Sequence, residues 1–492
     1  MPERTLALQE KFGPTYKWFA GFAVVLGLLT VIFSSTMINV ALTDIMAAFS
    51  VTQASAQWMA TAFFSASCIA MLTTAWLMSA IGARKTFLVA TSIFIAGCVL
   101  GWLAPNFNTL ILARLLQGVG AGITQPLSMT LVFVLFPPEM RGRAMGLFGM
   151  GVVLGPALGP LIGGFVTDSL GWQMTFIVAI PLSTVAAILG WFFLPGKNRD
   201  HTPTSFNFYS LILIGVAVAS LLIGLSNSQF HYFSHITVFP YLLLSALCLV
   251  LFLKREITSP APLIELKMFK DPRLVSSALI GIIMTAGLFS SVYTIPLFAR
   301  TVQSMSATDA GFLLFPAGIA LVIAFPIFGR LVDMMPSYRL IIFGQVLFVG
   351  SMVALGISGT AASYLALAGW VLVGRVGLGA IMPSNSTYFL SIVEAEQVTQ
   401  ASGALNFVRV LGGTIGVNLT ALLITDRMTL YTNEAQSEGF EIAAAAIEMS
   451  IFAETFRDCF LVTSFVFSVA LIPALYIAFS PQKLTTQKSP AE

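Results

Sequence analysis

Three arginines, Arg114, Arg375 and Arg409, stand inside long apolar runs. A charge in a membrane-length apolar segment is costly, so such a residue marks a functional position by default. For Arg114 and Arg375 two chemistries are open. Each is either a cation facing a cavity, where it tunes a titrating group or holds an anionic compound, or a structural cation bonded to backbone carbonyls of a neighbouring helix. Arg409 is expected to snorkel toward the cytoplasm or to pair with a loop acid. The polar and aromatic residues that could line a site with them are Asn39, Trp58, Phe63, Gln117, Gln125, Tyr293, Asn385 and Tyr388. Aromatic walls give adaptable, weakly directional binding. For the aromatics a packing or lipid-facing role is equally open, because the sequence alone does not set helix rotation.

Other chemistries find no residues to carry them. Cys68, Cys98, Cys248 and Cys459 lie far apart in apolar stretches with no CxxC spacing, and read as small buried hydrophobes. His201, His231 and His235 have no carboxylate or cysteine company, so no metal site and no cofactor are expected. Gly196 and Lys197 are followed by Asn198 and lack the upstream glycine of a phosphate loop, and neither HExxH nor GxSxG occurs. The net charge of +3, from 24 basic and 21 acidic residues, is too balanced for a nucleic-acid footprint.

The elements that must position the arginines follow from composition. Of 492 residues 57% are hydrophobic and only 9% charged, against roughly 25% charged in soluble domains. The expected fold is therefore an all-α integral membrane protein. Apolar runs separated by polar or turn-rich breaks give fourteen spans between residues 18 and 480; twelve is the alternative if the pair at 206–226 and 235–253 lies on the membrane surface. The first run, 18–42, is too long for a signal-peptide core and is expected to stay as a span. With the N-terminus cytoplasmic, eighteen of the 24 basic residues fall inside and only Arg300, Arg427 and Arg457 outside, which places both termini in the cytoplasm. No Asp or Glu sits at mid-membrane. The division is a cytoplasmic N-terminus 1–17, a six-helix bundle 18–194, two inserted helices with flanking loops 195–272, a second six-helix bundle 273–480 with an outer loop 426–454, and a cytoplasmic tail 481–492.

Motifs sharpen this outline. The stretch from Leu77 through Ser79 and Gly82 to Arg84 and Lys85 aligns, at an offset of 254, with Leu331, Asp333, Pro336 and Arg339. Between them these copies cover a G-x-L-x-D-x-x-G-x-R-K/R loop. In the fifth span, Gly146, Gly155, Gly159, Pro160, Gly163 and Gly164 fill every fixed position of G-x8-G-x3-G-P-x2-G-G. Glycines three and four apart line one helix face and let a neighbouring backbone approach closely. Thr36 to Leu42 is similar to a T-I-V-N-V-A-L segment, and Arg114, Gln117, Gly118 and Gly120 to R-x-x-Q-G-x-G. In these features the chain resembles the major facilitator superfamily, and within it the fourteen-span drug:proton antiporters of the EmrB/QacA type.

That resemblance implies two six-helix bundles plus two extra helices, in a bacterial cytoplasmic (inner) membrane. The function it implies is multidrug efflux: export of hydrophobic or amphipathic compounds by alternating access, with protons as the coupling partner. It also implies a substrate site near the midplane, a cytoplasmic gate at Gly82, Arg84, Lys85 and Asp333, and a periplasmic adaptor protein as partner of the outer loop, for which a solvated amphipathic cap is the plainer reading. Two departures stand out: Ser34 occupies the place of the usual first-span Asp, and Arg300 at the outer mouth that of a Gln. With Arg114, Arg375 and Arg300 and no acid at mid-membrane, the cavity field is expected to favour anionic or neutral amphiphiles, fatty-acid-like or lipid-like, with weak or atypical coupling. A transport-inactive scaffold or sensor is the reading from another class.

Overall fold

The computed structural model describes residues 8, 10–56, 58–197, 205–228, 235–305, 307–359, 362–437 and 445–480. Long helices dominate, and no strand occurs among the described residues. We number the long ones α1 (Tyr16–Val40), α2 (Trp58–Ile81), α3 (Ala83–Trp102), α4 (Phe107–Leu135), α5 (Arg141–Leu170), α6 (Ala179–Phe193, after the single turn Met174–Ile177), α7 (Phe208–Asn227), α8 (Phe239–Thr258), α9 (Pro272–Thr301), α10 (Ala307–Val332), α11 (Ser337–Ser358), α12 (Tyr364–Ile392), α13 (Val398–Ser437) and α14 (Ala445–Val469, continued by Leu471–Phe479). In hydrocarbon a backbone must satisfy its own polar groups, and an apolar chain does so as helix. Local signals set the starts. The side chains of Asn106, Asn207, Asp271 and Ser363 accept hydrogen bonds from the first-turn N–H groups of α4, α7, α9 and α12.

Twelve helical stretches among the described residues are long and apolar enough to cross a membrane. The two long helices outside that set are α5 and α8. The last turns of α8 carry Lys254, Arg255 and Glu256. The pair that the sequence left open as surface elements is split: α7 is among the twelve and α8 is not. A second difference lies at the outer loop. Residues 426–437 continue α13, a helix of 40 residues; Tyr431 donates to Asp458 at 2.9 Å and Arg427 pairs with Asp458 at 3.6 Å, clasping α13 to α14. Of the rest of the expected outer loop, residues 438–444 lie outside the described residues and 445–454 belong to α14.

The two halves pack by one scheme. In the first, α1 packs on α4, α5 and α6, while α2 and α3 pack on α4 and α3 on α6. In the second, α9 packs on α12, α13 and α14, while α10 and α11 pack on α12 and α11 on α14. The halves meet where α5 packs on α10 and α2 on α13, with α4 touching α13 and α5 touching α12. Swapping the halves maps each of these seam contacts onto another, which is the signature of a pseudo-twofold axis. The α7–α8 hairpin sits outside this seam: α7 packs on α2 and α13, and α8 on α7.

The repeat reaches single residues. A Cβ on Gly146 would stand 2.6 Å from the Phe325 carbonyl oxygen, and one on Gly403 would stand 3.0 Å from that of Met71. Gly146 and Gly403 are 257 positions apart, and Met71 and Phe325 are 254 apart. At both crossings, α5 on α10 and α13 on α2, a glycine admits the facing backbone.

Candidate substrate site at the seam

A polar layer crosses the seam part-way along the helices. Gln125 on α4 donates through Nε2 to Asn406 Oδ1 on α13 at 3.0 Å, a side-chain hydrogen bond between the halves. Asn406 is fully buried and donates in turn to the Ser402 carbonyl at 2.9 Å. On the C-terminal side Asn385 of α12 is also fully buried: its Oδ1 accepts from Ser277 Oγ at 2.7 Å, and its Nδ2 donates to the Ser277 carbonyl at 3.0 Å. Thr285 Oγ1 donates to the carbonyl of Arg409 at 2.8 Å. These residues lie on α4, α9, α12 and α13. Arg409 is eleven residues into α13, about 16 Å along it.

Arg409 itself corrects the expectation of snorkelling or a loop acid. It is 3% exposed, and its Nε, Nη1 and Nη2 have no hydrogen-bond partner among the described residues. The guanidinium lies against Gly281 of α9, where a Cβ would stand 3.3 Å from Nε and 3.4 Å from the Asn385 amide nitrogen. The missing side chain at Gly281 makes the room. A buried charge without a counter-charge costs several kcal/mol.

Arg114 has the opposite surroundings. It is 1% exposed and enclosed by α2, α3 and α4. Nη1 donates to Gln117 Oε1 at 2.8 Å, Nε points to the Met59 carbonyl at 3.4 Å, and the guanidinium lies 4.4 Å over the Phe63 ring. Gln117 reaches Cys98 Sγ at 3.2 Å. Arg114, Gln117 and Phe63 thus form one network inside the first half, apart from the seam layer that holds Gln125 and Asn385. Arg375 is 5% exposed on α12, with Nη1 unpartnered among the described residues. Trp58 and Tyr293 are exposed and Tyr388 is half-buried. Arg300 is exposed at the end of α9. The side chains of Asn39 and Pro160 lie outside the described residues.

The glycines of α5 divide between two neighbours. Gly155, Gly159 and Gly163 face Ile32, Thr36 and Met37 of α1, where Thr36 Oγ1 donates to the Gly155 carbonyl at 3.0 Å. Gly146 faces α10 across the seam, and Gly164 is half-buried. On α13 Gly412 and Gly416 face Ile282 and Ala286 of α9 and repeat Gly155 and Gly159 at the 257-residue offset. The four-residue spacing of Gly412 and Gly416 is the sequence signal that could have revealed this second copy; for Asn406 and Arg409 it is a polar pair one turn apart inside a span.

At the basic end of the molecule Asp333 crosses the seam. Its Oδ1 accepts from the Gly142 N–H at 2.6 Å and its Oδ2 from the Arg143 N–H at 3.1 Å, with Arg143 Nε 3.6 Å away. A carboxylate at a helix N-terminus satisfies free N–H groups and the helix dipole. Burial pushes the Asp333 carboxyl above its ordinary range, against the pull of those N–H groups and of the Arg143 guanidinium. At the equivalent position Ser79 bonds back to the Trp76 carbonyl at 2.8 Å, within α2. Gly82 and Arg84 stay within their own half. A Cβ on Gly82 (φ 83°) would meet the Lys197 backbone at 2.7 Å, and Arg84 N–H bonds to the Pro195 carbonyl with its guanidinium over Trp191. Lys85 is exposed. No group of three or more metal-ligating side chains occurs among the described residues.

Known proteins resemble this chain along most of its length. The family model described as Major Facilitator Superfamily matches residues 24–417. The uncharacterized MFS-type transporter YcnB of Bacillus subtilis is 30% identical over 84% of this chain and 86% of its own. Multidrug export protein EmrB of Haemophilus influenzae is 26% identical over 81% and 79%. Among solved structures, the proton:xylose symporter XylE superposes with a TM-score of 0.65 over 96% of this chain and 97% of its own, at 14% identity.

Proposed function

The chain belongs to the Major Facilitator Superfamily, and on that premise we propose that it is a secondary active exporter of hydrophobic or amphipathic compounds, working by alternating access with proton antiport. The observation that carries this reading is the seam itself. Two like-packed halves touch through glycine–carbonyl crossings at Gly146 and Gly403, with a buried polar group, Gln125, Asn385, Asn406 and Arg409, beside them. Halves that meet over small, apolar crossings can rock, because no extended ionic network has to break. Export as the direction rests on the name of the relative EmrB, multidrug export protein, together with the complete glycine pattern of α5.

The finer topology is part of the same proposal. We count α5 and α8 as spans, giving fourteen: α5 has 30 residues and packs between α1 and α10, an interior position. Both termini then face the cytoplasm, and the Asp333 contact closes the cytoplasmic end. The membrane is a bacterial cytoplasmic one. A periplasmic adaptor would meet the projecting ends of α13 and α14. Ser34 leaves no carboxylate in α1, so the group proposed to sense protons is Asp333, the acid that joins the halves. The test is purified protein in liposomes with an imposed pH gradient and a fluorescent neutral amphiphile. Gradient-driven accumulation is expected; flux no faster than in protein-free vesicles for every amphiphile tried would overturn the reading.

A further inference from the structure

Arg114 and Arg409, two of the three buried arginines, provide an internal comparison. Arg114 shows how this fold satisfies a cation with a structural role: an amide oxygen, a backbone carbonyl and an aromatic face converge on it. Arg409 is as deeply buried, yet none of its three nitrogens has a partner among the described residues. Its guanidinium and the apolar Leu405 side chain fill the place a side chain at Gly281 would take, a Cβ there standing 3.3 Å from each, and Asn406 one turn earlier bridges to the other half. No carboxylate of the described residues forms an ion pair with it, since the ion pairs found involve Arg143, Arg273, Arg427 and Arg457.

We propose that Arg409 is the binding group for the anionic head of an amphipathic substrate, a carboxylate or comparable monoanion, whose apolar tail lies along the seam. The proposal deepens the export reading and rests on it for the substrate's fate. A planar guanidinium offers paired N–H donors that match two oxygens of one head group. In a site of low dielectric an entering anion restores the missing counter-charge, whereas a lipophilic cation adds like charge. Asn385 and Ser277 are already paired with each other beside Gly281. The charge preference thus comes from Arg409 rather than from Arg114, which is hydrogen-bonded inside the first half.

The decisive experiment is equilibrium binding of radiolabelled laurate to the full chain in maltoside micelles. Dodecyltrimethylammonium and phosphatidylglycerol serve as competitors, the first sharing the tail with opposite charge, the second presenting a lipid phosphate. Saturable laurate binding is expected, with no displacement by a tenfold excess of the cation. Arg409→Met should weaken it at least tenfold, and Arg409→Lys, which keeps the charge but loses the fork, by only a few-fold. Unchanged affinity in Arg409→Met, equal displacement by the cation, absence of saturable binding, or displacement by stoichiometric phosphatidylglycerol, which marks a structural lipid site, would each overturn the proposal. Should Arg409→Met fail to fold, the wild-type competition and Arg409→Lys decide. Export of a neutral amphiphile without laurate binding would remove the Arg409 assignment and leave the export reading standing. Arg409-dependent binding without export of any amphiphile would do the reverse.

Discussion

Asp333 is held by two N–H groups of the opposite half, and its carboxyl is pushed above the ordinary range by burial. An arrangement that opens this end returns the group to water, where a carboxylate titrates near about 3.9. The closed arrangement therefore binds the proton more tightly. Its advantage is full below the ordinary value, is lost as pH rises through the raised one, and is flat above it. Spin-label distances between the ends of α5 and α10 should shorten on acidification across that interval, and Asp333→Asn should flatten the response. Asp333→Ala removes the acceptor as well, leaving the Gly142 and Arg143 N–H groups unpaired at a cost of about 1–3 kcal/mol. That variant should open the end at every pH; distances identical to wild type in both variants would show that Asp333 does not govern closure.

Helices α5 and α13 each carry two glycine faces, one toward α1 or α9 in their own half and one across the seam. The first builds the half and the second sets how closely the halves approach. A methyl at Gly146 would overlap the Phe325 carbonyl at 2.6 Å, while one at Gly403 would sit 3.0 Å from Met71, where the neighbour needs to give only slightly. Overpacking typically costs about 1–3 kcal/mol. Transport in vesicles should therefore fall most in Gly146→Ala and less in Gly403→Ala. It should stay unchanged in Gly350→Ala, whose Cβ would meet nothing within 4 Å. Equal activity in all three would mean that these crossings do not limit motion.

For the molecule as a whole, alternating access requires the halves to separate at the basic end once per cycle. Arg143 and Met334 are exposed on opposite sides of that end, next to the Arg143–Asp333 contact, and the four native cysteines are all buried. A reducible thiol crosslinker joining Arg143→Cys to Met334→Cys should stop transport, and reductant should restore it. Undiminished transport by the crosslinked protein would exclude rocking at this seam. The α7–α8 hairpin lies along α2 and α13 rather than between the halves, so it can ride with either one.

The sequence by itself determined the class of fold, because continuous apolar runs of about 20 residues are the length of a membrane-crossing helix, which satisfies its own backbone in lipid. It also showed the glycine face of α5 and the 254-residue loop repeat, since both are spacings along the chain. Gln125 and Asn385 were legible as polar residues in apolar runs. Rotation was not legible: helices apolar nearly all round carry little amphipathic phase to say which way a side chain points. Only the tertiary structure decided that Arg114 is paired inside its own half while Arg409 packs unpaired against Gly281 of α9, that Asp333 crosses to α5 while Ser79 folds back, and that α13 continues to Ser437. Each of these depends on which helix lies opposite, and in a membrane interior close packing and unpaired polar groups, more than local propensity, settle that choice.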